Sequence, residues 1–204
     1  MLPWQLIQID IKYLTDIDNL KPYFADSKNV FNDIRCKYQI TSRDVATGAT
    51  IVAYCEDKSV SYTKIFLEDI LYPFLKDLNL KKITIQTDNG LEFTNRYKKT
   101  YGKEPEKSSF TIFVENKFKK HRMNIPGHCT TNSDVETFHW SIERDCLAWD
   151  DIINDEPLIK YITLYMKEYL HTEIKTRKYS PINKIKETYE IDNIIYPMPQ
   201  TIHI

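Results

Sequence analysis

Residues 5–14 read QLIQIDIKYL, and this stretch decides the fold class. Apolar side chains surround a single acid, Asp10, which is typical of a strand buried on at least one face. An ionised carboxylate inside an apolar strand is costly unless a cation or a hydrogen-bond donor compensates it, so Asp10 is the first candidate functional residue. One alternative stays open at this point, namely that Asp10 pairs with a buried Lys or Arg.

The elements on either side of this strand alternate in a regular way. Further strands are predicted at 35–42, 49–55, 81–87 and 123–125, and the first two form a hairpin around a turn at 44–48. Helices are predicted at about 59–78, 110–121, 132–149 and 157–174. Polar stretches at 15–33 and 95–109 indicate insertions, and the proline-containing tail from Tyr179 is expected to wrap the surface. This pattern predicts an α/β fold with one mixed sheet and helices on both faces.

The composition excludes several classes of protein. With 204 residues, of which 42% are hydrophobic, the chain can fill the core of one domain, so a disordered chain is excluded. Its 28 basic and 29 acidic residues give a net charge of -1, which excludes a compact module that holds nucleic acid by charge alone. No apolar run reaches the roughly 18 residues of a membrane span, and the first residues lack a signal-peptide pattern. We therefore expect a cytoplasmic protein.

Cysteine and glycine patterns exclude three further kinds of site. The four cysteines are scattered without a C-x-x-C pair, which predicts buried free thiols rather than a structural zinc site: Cys36, Cys55, Cys129 and Cys146. None of the four glycines belongs to a G-x-G-x-x-G or a P-loop pattern. Nucleotide binding of the Rossmann and P-loop types is therefore excluded.

Two more acids stand where α/β sheets place their functional sites. Asp88 ends a predicted strand, and Glu136 follows the start of a predicted helix. Together with Asp10 they offer hard oxygen ligands to a divalent cation such as Mg²⁺. Each also has a structural explanation, because Asp88 begins a D-N-G turn sequence and Glu136 ends an S-D-V-E capping box. The single residues leave these alternatives open.

Several segments resemble the sequence motifs of one enzyme family. Residues 4–14 (WQLIQIDIKYL) resemble the W-x-x-D-[VI]-[TK]-[YH]-L motif of integrases, and residues 86–93 (QTDNGLEF) resemble their T-D-N-G-x-E-F motif. Residues 132–139 (NSDVETFH) are similar to the third motif, N-x-x-V-E-x-x-H. Residues 171–184 (HTEIKTRKYSPINK) resemble the family's final stretch, where an Arg precedes an S-P-[IL] segment. The family is the catalytic core of retroviral-type integrases and insertion-sequence transposases of the DDE class.

The resemblance implies a fold, a metal site and an activity. The fold is ribonuclease-H-like, with a five-stranded mixed sheet in the order 3-2-1-4-5. Asp10, Asp88 and Glu136 are implied to be the catalytic residues and to hold Mg²⁺, for which Mn²⁺ can substitute. The implied activity is DNA strand cleavage and strand transfer by two-metal in-line phosphoryl transfer, as in the integration or transposition of a mobile element. Its partners would be the element's DNA ends, the target DNA and further copies of this chain.

The chain also departs from the family pattern. Asp88 and Glu136 are 48 positions apart, more than is usual in the family, and the polar stretch 95–109 accounts for the excess as a surface insertion. The helix after Glu136 usually carries basic residues that meet DNA, whereas this chain has Thr137, Trp140 and Glu143 at those positions. Trp140 is expected in the core or at a dimer contact. The candidate nucleic-acid contacts that remain are Asn89, His139, Lys119, Lys120, Arg122 and Arg144.

Two other functions stay open alongside this one. The first is a domesticated or decayed core that binds DNA or assembles without catalysis, which the lost basic positions favour and the intact acids oppose. The second is a ribonuclease-H-type nuclease acting on RNA hybrids, which would want a fourth carboxylate near the metals. We expect residues 1–186 to form the catalytic core domain and 187–204 an extension. Because the net charge is close to zero, we also expect a separate DNA-reading domain outside this chain.

Overall fold

The computed structural model of this protein describes residues 1–21, 24, 36–80, 82–97, 105–125, 132–148 and 158–204. Some sequence predictions fall on other positions and lie outside the described residues. They are parts of both insertions, Cys129, and the helix ends predicted at Trp149 and Pro157.

One six-stranded mixed sheet forms the centre of the fold. Its strands are β1 Leu6–Tyr13, β2 Tyr38–Asp44, β3 Thr50–Cys55, β4 Thr84–Thr87, β5 Lys120–Met123 and β6 Gln200–Thr201. They lie in the order β5-β4-β1-β2-β3-β6. The pairs β1–β2 and β2–β3 are antiparallel, whereas β1–β4, β4–β5 and β3–β6 are parallel. The predicted α/β class with a mixed sheet is confirmed.

Helices cover both faces of this sheet. They are α1 Val60–Ile65, α2 Tyr72–Asp77, α3 Ser109–Lys117, α4 Ser133–Ile142, α5 Leu158–His171 and α6 Pro181–Tyr189. A π-helical segment, Phe66–Leu71, joins α1 to α2, and a second, Glu143–Leu147, extends α4. Short 3-10 turns follow β1 at Leu14–Asp16 and Asp18–Leu20. The wider π turn precedes Pro73, whose ring would crowd the carbonyl four residues back in a regular α-helix.

The pleat of β1 gives the two faces of the sheet different contents. Ile7, Ile9 and Ile11 point to one face, where they join a core with residues of α1, α2, α3 and α6. The alternate residues of β1 point to the other face, and Asp10 is among them. On that face Phe138 of α4 packs in a second core with residues of β3 and α5. Asp10 therefore lies under the layer that contains α4.

Two predictions about the sheet are wrong. The tail does not wrap the surface, because Ile182 and Ile185 of α6 are buried in the first core and β6 pairs with β3. This sixth strand makes the predicted five-stranded count and its order incorrect, although β1 to β5 have the neighbours that were predicted. The prolines of the tail were misleading, since Pro181 occupies the first position of α6, where the missing N–H costs nothing, and Ser180 caps that helix.

The boundary between α3 and β5 was also misplaced. The helix predicted at 110–121 ends at Lys117, and the strand predicted at 123–125 occupies Lys120–Met123 instead. The reason is that β5 is an edge strand with charged residues on its exposed positions, so it lacks the apolar alternation that identifies a strand.

Two simpler predictions have clear outcomes. Cys36, Cys55 and Cys146 are free and buried, as predicted for thiols that serve packing. Among the described residues, no helix has the length and apolar character needed to cross a membrane.

Candidate active site

The three predicted acids come from three elements that meet above one part of the sheet. Asp10 lies in the middle of β1, opposite Thr41 of β2. Asp88 directly follows β4, which runs parallel to β1 with Gln86 beside Gln8 in the register. Continuing that register by two residues brings Asp88 beside Asp10. Glu136 belongs to the first turn of α4, which packs on β1 and β2.

The electrostatics of Asp10 report that these acids are close together. Burial, and then the charge of Asp88, raise the pKa of Asp10 from 3.8 to about 7, and Glu136 contributes in the same direction. A backbone hydrogen bond at Ile11 and, to a smaller extent, the charge of Lys58 oppose the shift. Like charges raise the pKa of a carboxyl group only at short range. The three acids are therefore electrostatic neighbours, with the side chain of Asp10 22% exposed.

The proximity of the three acids is a weaker result than the prediction that they surround one metal ion. Within the described part of the chain, no group of three or more His, Cys, Asp or Glu side chains is close enough to hold a metal ion. Glu136 is exposed to solvent, and one oxygen of Asp88 accepts a hydrogen bond from the backbone N–H of Gly90 at 2.8 Å. That the three acids surround one metal position stays a prediction.

The structure also tests the purely structural explanations for these acids, namely a capping box, a turn and a buried ion pair. Glu136 is not a capping-box residue, because α4 begins at Ser133 and its N-cap, Asn132, makes no side-chain capping bond. The turn explanation for Asp88 is correct, since its bond to Gly90 closes the D-N-G turn, but it accounts for only one carboxylate oxygen. Among the described residues, no Lys or Arg lies within ion-pair distance of Asp10, so a buried ion pair does not explain that acid.

His139 is buried against Asp10 and does not present its ring to solvent as a DNA contact. Its Nδ1 lies 3.7 Å from Oδ2 of Asp10, and its Nε2 lies 2.9 Å from Oγ1 of Thr41. Burial, and then the charges of Lys12 and Arg43, lower the pKa of His139 to about 3, so the ring is neutral and the contact is not an ion pair. The ring therefore faces Asp10 and not solvent, and a contact of His139 with nucleic acid stays a prediction.

A buried chain of hydrogen bonds holds the ring of this histidine in place. The hydroxyl of Tyr54 donates to Oε1 of Gln39 at 2.8 Å, and Nε2 of Gln39 donates to Oγ1 of Thr41 at 2.9 Å. Thr41 accepts from Gln39 and has its own proton available for Nε2 of His139. When Thr41 donates in this way, the proton of the neutral ring is on Nδ1, which faces Asp10.

A fourth acid lies near the site but is already neutralised. Glu92 is 6% exposed, and its Oε1 lies 2.9 Å from Nζ of Lys58. Lys58 also donates to the hydroxyl of Tyr13 at 3.1 Å. Gly90 makes room for this carboxylate, because a Cβ at position 90 would lie 2.3 Å from Oε1 of Glu92. Glu92 is thus held by a cation of the protein itself.

The basic side chains predicted to contact DNA are partly well placed. Lys119, Lys120 and Arg122 are exposed on or beside β5. In the parallel register, Lys120 and Arg122 share the sheet face of Gln8, which is also the face of Asp10. Asn89, by contrast, donates its side-chain amide to the carbonyl of Asn124 at 2.9 Å and so ties the ends of β4 and β5 together.

Two residues that depart from the family pattern, Trp140 and Glu143, make contacts inside this chain. Trp140 is 60% exposed, so it does not lie in the core, and the other expectation, a dimer contact, stays a prediction. Arg144 lies 4.3 Å from the centroid of the Trp140 ring and forms a two-point ion pair with Asp145. Glu143 forms an ion pair with Lys12 of β1. The acid at a usually basic position therefore has a structural partner inside this chain.

The donor set fits a hard divalent cation. Mg²⁺ prefers carboxylate and carbonyl oxygens and keeps waters for a phosphate substrate. The carboxyl group of Asp10 has two like-charged neighbours and, among the described residues, no cation at ion-pair distance, which is the imbalance that a bound cation removes. In addition, the buried Oδ1 of Asn89, next to Asp88, finds no hydrogen-bond donor in the described part of the chain.

Sequence reasoning missed the polar residues that support the acids. Gln39 and Thr41 lie two residues apart on β2, on the face that Asp10 shares. Their spacing is a period-two polar pattern inside a buried strand, which is a signal that the sequence carried. Lys58 precedes α1 and gives no local pattern, so only the fold brings it to Glu92.

Comparison with known proteins adds no assignment. No protein-family model matches this chain, and no curated protein does. The functional argument therefore depends on the residues and their geometry.

Proposed function

We propose that this chain is the catalytic core of a DNA strand-cleaving and strand-transferring enzyme of the DDE integrase and transposase class. The observation that carries the proposal is that Asp10 on β1, Asp88 at the end of the adjacent β4 and Glu136 on the helix packed over β1 come from elements that meet at one part of the sheet. The raised pKa of Asp10, to which Asp88 and Glu136 both contribute, supports this placement. These acids belong to three separate sequence motifs and three separate structural elements, so their proximity is not a consequence of neighbouring positions in the chain.

The order and direction of the strands support a ribonuclease-H-like arrangement. Strands β3, β2 and β1 form an antiparallel meander, and β4 and β5 follow on the other side of β1, parallel to it. In sheets with parallel strands, functional groups gather at the carboxyl ends of the strands where the order of connection changes. Asp88 follows the carboxyl end of β4, and Asp10 lies beside it on β1, the strand at which the antiparallel and parallel parts meet.

The residues of the chain have distinct roles in this proposal. Asp10, Asp88 and Glu136 would hold Mg²⁺, or Mn²⁺ in its place. When bound, such ions activate the attacking oxygen and stabilise the leaving oxygen of an in-line displacement at phosphorus. His139 would orient Asp10, because its Nδ1–H faces that carboxylate and its ring is held by Thr41. Lys58 would keep Glu92 out of the metal-binding set by neutralising it.

The exposed basic residues of β5 support a DNA substrate. Lys120 and Arg122 lie on the sheet face of Asp10, and Lys119 precedes them on the same edge. Phosphate contacts by such side chains position a duplex without reading its sequence. Binding of the element's ends, of target DNA and of further copies of this chain belongs to the same proposal.

Nicking of a supercoiled plasmid tests the function without knowledge of the element's ends. We expect the chain to nick the plasmid in the presence of Mn²⁺ or Mg²⁺, and to join an added oligonucleotide with a free 3′-OH to plasmid DNA. Asp10→Asn, Asp88→Asn and Glu136→Gln should each abolish both products. Glu68→Gln is the matched control, because Glu68 is a partly exposed carboxylate on the π-helical segment that pairs with Lys64, at 3.2 Å. Activity in the three acid variants would reject the proposal.

One alternative has a specific observation in its favour. Glu143, at a usually basic position, is committed to Lys12, which suits a decayed core that binds or assembles without catalysis. This alternative predicts plasmid binding without nicking at any divalent-cation concentration. The ribonuclease-H alternative is less well supported, because the nearby fourth carboxylate, Glu92, is neutralised by Lys58. Preferential cleavage of an RNA–DNA hybrid over the plasmid would favour it.

A further inference from the structure

The segment that follows α5 folds back onto the helix that carries Glu136. The guanidinium of Arg177 donates from Nη1 to the backbone carbonyls of Val45 and Ala46, both at 2.6 Å. From Nη2 it donates to Oδ1 of Asp134 at 2.7 Å. One side chain therefore joins the turn between β2 and β3 to the first turn of α4.

Asp134 is two residues from Glu136, in the same helical turn. This turn has a second attachment, since the backbone N–H of Val135 donates to Oε1 of Gln8 at 3.1 Å. Gln8 is on β1, two residues before Asp10. The start of α4 is thus tied to the strand of Asp10 by Gln8 and to the β2–β3 turn by Arg177.

The turn that Arg177 holds is itself rigid. Asp44 accepts hydrogen bonds from the backbone N–H groups of Trp4 at 2.8 Å and of Thr47 at 2.9 Å. The hydroxyl of Tyr179 donates to the carbonyl of Ala46 at 2.7 Å, so the segment of Arg177 is attached to the turn at a second point. At Gly48, whose φ is +78°, a Cβ would lie 2.9 Å from Ile174. Because the β2–β3 turn is held in this way, the contact through Arg177 fixes the position of the first turn of α4.

The chemistry of the contact suits a positioning role. Arg177 and Asp134 are 20% and 29% exposed, so the pair is partly shielded from solvent. The planar guanidinium reaches acceptors on two segments at once, which a single ammonium group cannot do with the same geometry. In addition, Glu136 has an exposed side chain, so its place relative to Asp10 is set by the helical backbone that carries it.

We propose that Arg177 is a positioning residue that sets the place of Glu136 relative to Asp10 through Asp134. The R-x-x-S-P-I stretch of the C-terminal segment thereby has a role in the site. The inference rests on the proposed function in one respect, which is that the three acids bind a metal. Gln8 performs the same task from β1. Arg177 itself does not touch the substrate or the reacting atoms.

The test combines Mn²⁺ binding with hydrogen exchange in the full chain. Arg177→Met keeps the aliphatic stem and removes all three hydrogen bonds, whereas Arg177→Lys keeps the charge. Lys184→Met is the matched control, because Lys184 pairs with Glu187 at 2.9 Å in the same C-terminal segment and both residues lie on α6. Mn²⁺ affinity is measured by titration calorimetry with Mn²⁺ alone, and amide exchange is measured by mass spectrometry.

We expect Arg177→Met to weaken Mn²⁺ binding by about tenfold, the scale at which supporting residues affect metal sites. Exchange should become faster at the amides of residues 134–137 but not in β1. Arg177→Lys should recover only part of both effects, and Lys184→Met should show neither. If both residues act through one contact, Asp134→Asn combined with Arg177→Met should weaken binding no further than Arg177→Met alone.

Two results would overturn the inference. One is unchanged exchange at residues 134–137 in Arg177→Met, whatever the Mn²⁺ affinity. The other is faster amide exchange spread evenly over α4 and β1, which would show that Arg177 has a general structural role. If Arg177→Met fails to fold, exchange in Arg177→Lys and Asp134→Asn decides the same point. Absence of Mn²⁺ binding by the unmodified chain would reject the proposed function instead. Exchange at 134–137 would then decide on its own whether Arg177 holds the helix.

Discussion

Replacing Asp10 with asparagine removes a negative charge that is unfavourable in the folded protein. The resulting change in the free energy of unfolding can be worked out from the pKa of Asp10. Burial and the charge of Asp88 raise the pKa of Asp10 to about 7, against 3.8 for the group in an unstructured chain. The folded protein therefore holds a proton at Asp10 that the unfolded chain has already released. Between these two pH values, stability falls as the pH rises. The asparagine side chain keeps the shape of the aspartate and carries no charge.

The magnitude can be worked out from the two pKa values. One pKa unit corresponds to about 1.4 kcal/mol, so a shift of about three units opposes folding by about 4 kcal/mol once Asp10 is ionised in both states. Below a pH of about 4 the carboxyl group is protonated in both states, and the effect vanishes. We therefore expect Asp10→Asn to be about as stable as the unmodified chain at pH 4. Above pH 7 it should be more stable by up to about 4 kcal/mol.

Urea unfolding in the presence of a chelator measures this difference. The free energies of unfolding of the two proteins are compared from pH 4.5 to pH 8.5, and their difference should grow by about 3 kcal/mol across that range. Asp69→Asn serves as the control, because Asp69 is exposed on the π-helical segment and surface substitutions change stability by about 0.5 kcal/mol or less. A difference that stays constant with pH, or an Asp10→Asn protein that is less stable at pH 8.5, would refute the reasoning.

Adding Mg²⁺ extends the same experiment to the proposed metal site. A cation that binds only the folded state stabilises it by about 2.7 kcal/mol at a hundred times its dissociation constant. The gain should be seen in the unmodified chain at pH 8.5 and should be largely lost in Asp10→Asn. Equal gains in both proteins would place the bound cation elsewhere.

Three further predictions follow from individual contacts. Asp88→Asn should abolish Mg²⁺-dependent plasmid nicking without lowering the melting temperature, because an amide oxygen can still accept from Gly90; an unfolded variant would support a role in the turn alone. Gly90→Ala should cost about 1 to 3 kcal/mol in urea unfolding, because the new Cβ displaces Glu92. Duplex binding should be weak, and Lys120→Gln with Arg122→Gln should make its logarithmic salt slope shallower by about 1.8, or 0.9 per lost phosphate contact; an unchanged slope would remove β5 from the interface.

The fold could be predicted well wherever a short stretch of sequence has a clear pattern of apolar and polar residues. The alternation in β1 identified the buried strand, and the hairpin, the helical run from Val60 and the strand that ends at Thr87 followed from ordinary patterns. The sixth strand could not be predicted, because Gln200–Thr201 is only two residues long and is a strand only where β3 offers an edge. A pairing of that kind is a property of the assembled sheet.

The sequence singles out the three candidate acids, but it does not show which distant residues contact them. Asp10, Asp88 and Glu136 stand in motifs that are visible in the sequence, and the structure brings them within electrostatic reach of one another. His139 was visible too, yet its role depends on Thr41, which is 98 positions away in the chain. The Arg177–Asp134 contact likewise spans 43 positions. Contacts between distant positions are set by tertiary packing, and one sequence contains no local signal for them.

The acid at position 143 shows why the loss of a basic residue does not by itself mean the loss of a site. Lys12 lies on the same face of β1 as Asp10, and its side chain is 15% exposed, so a basic residue at 143 would place two like charges in a partly buried space. Glu143 removes that repulsion and attaches the end of α4 to β1. The consequence is that position 143 contributes no positive charge on this side of α4. Among the described residues, the exposed cations on the sheet face of Asp10 include Lys120 and Arg122 of β5, so the proposed function predicts that a duplex bound at the three acids runs over β5 and not along α4.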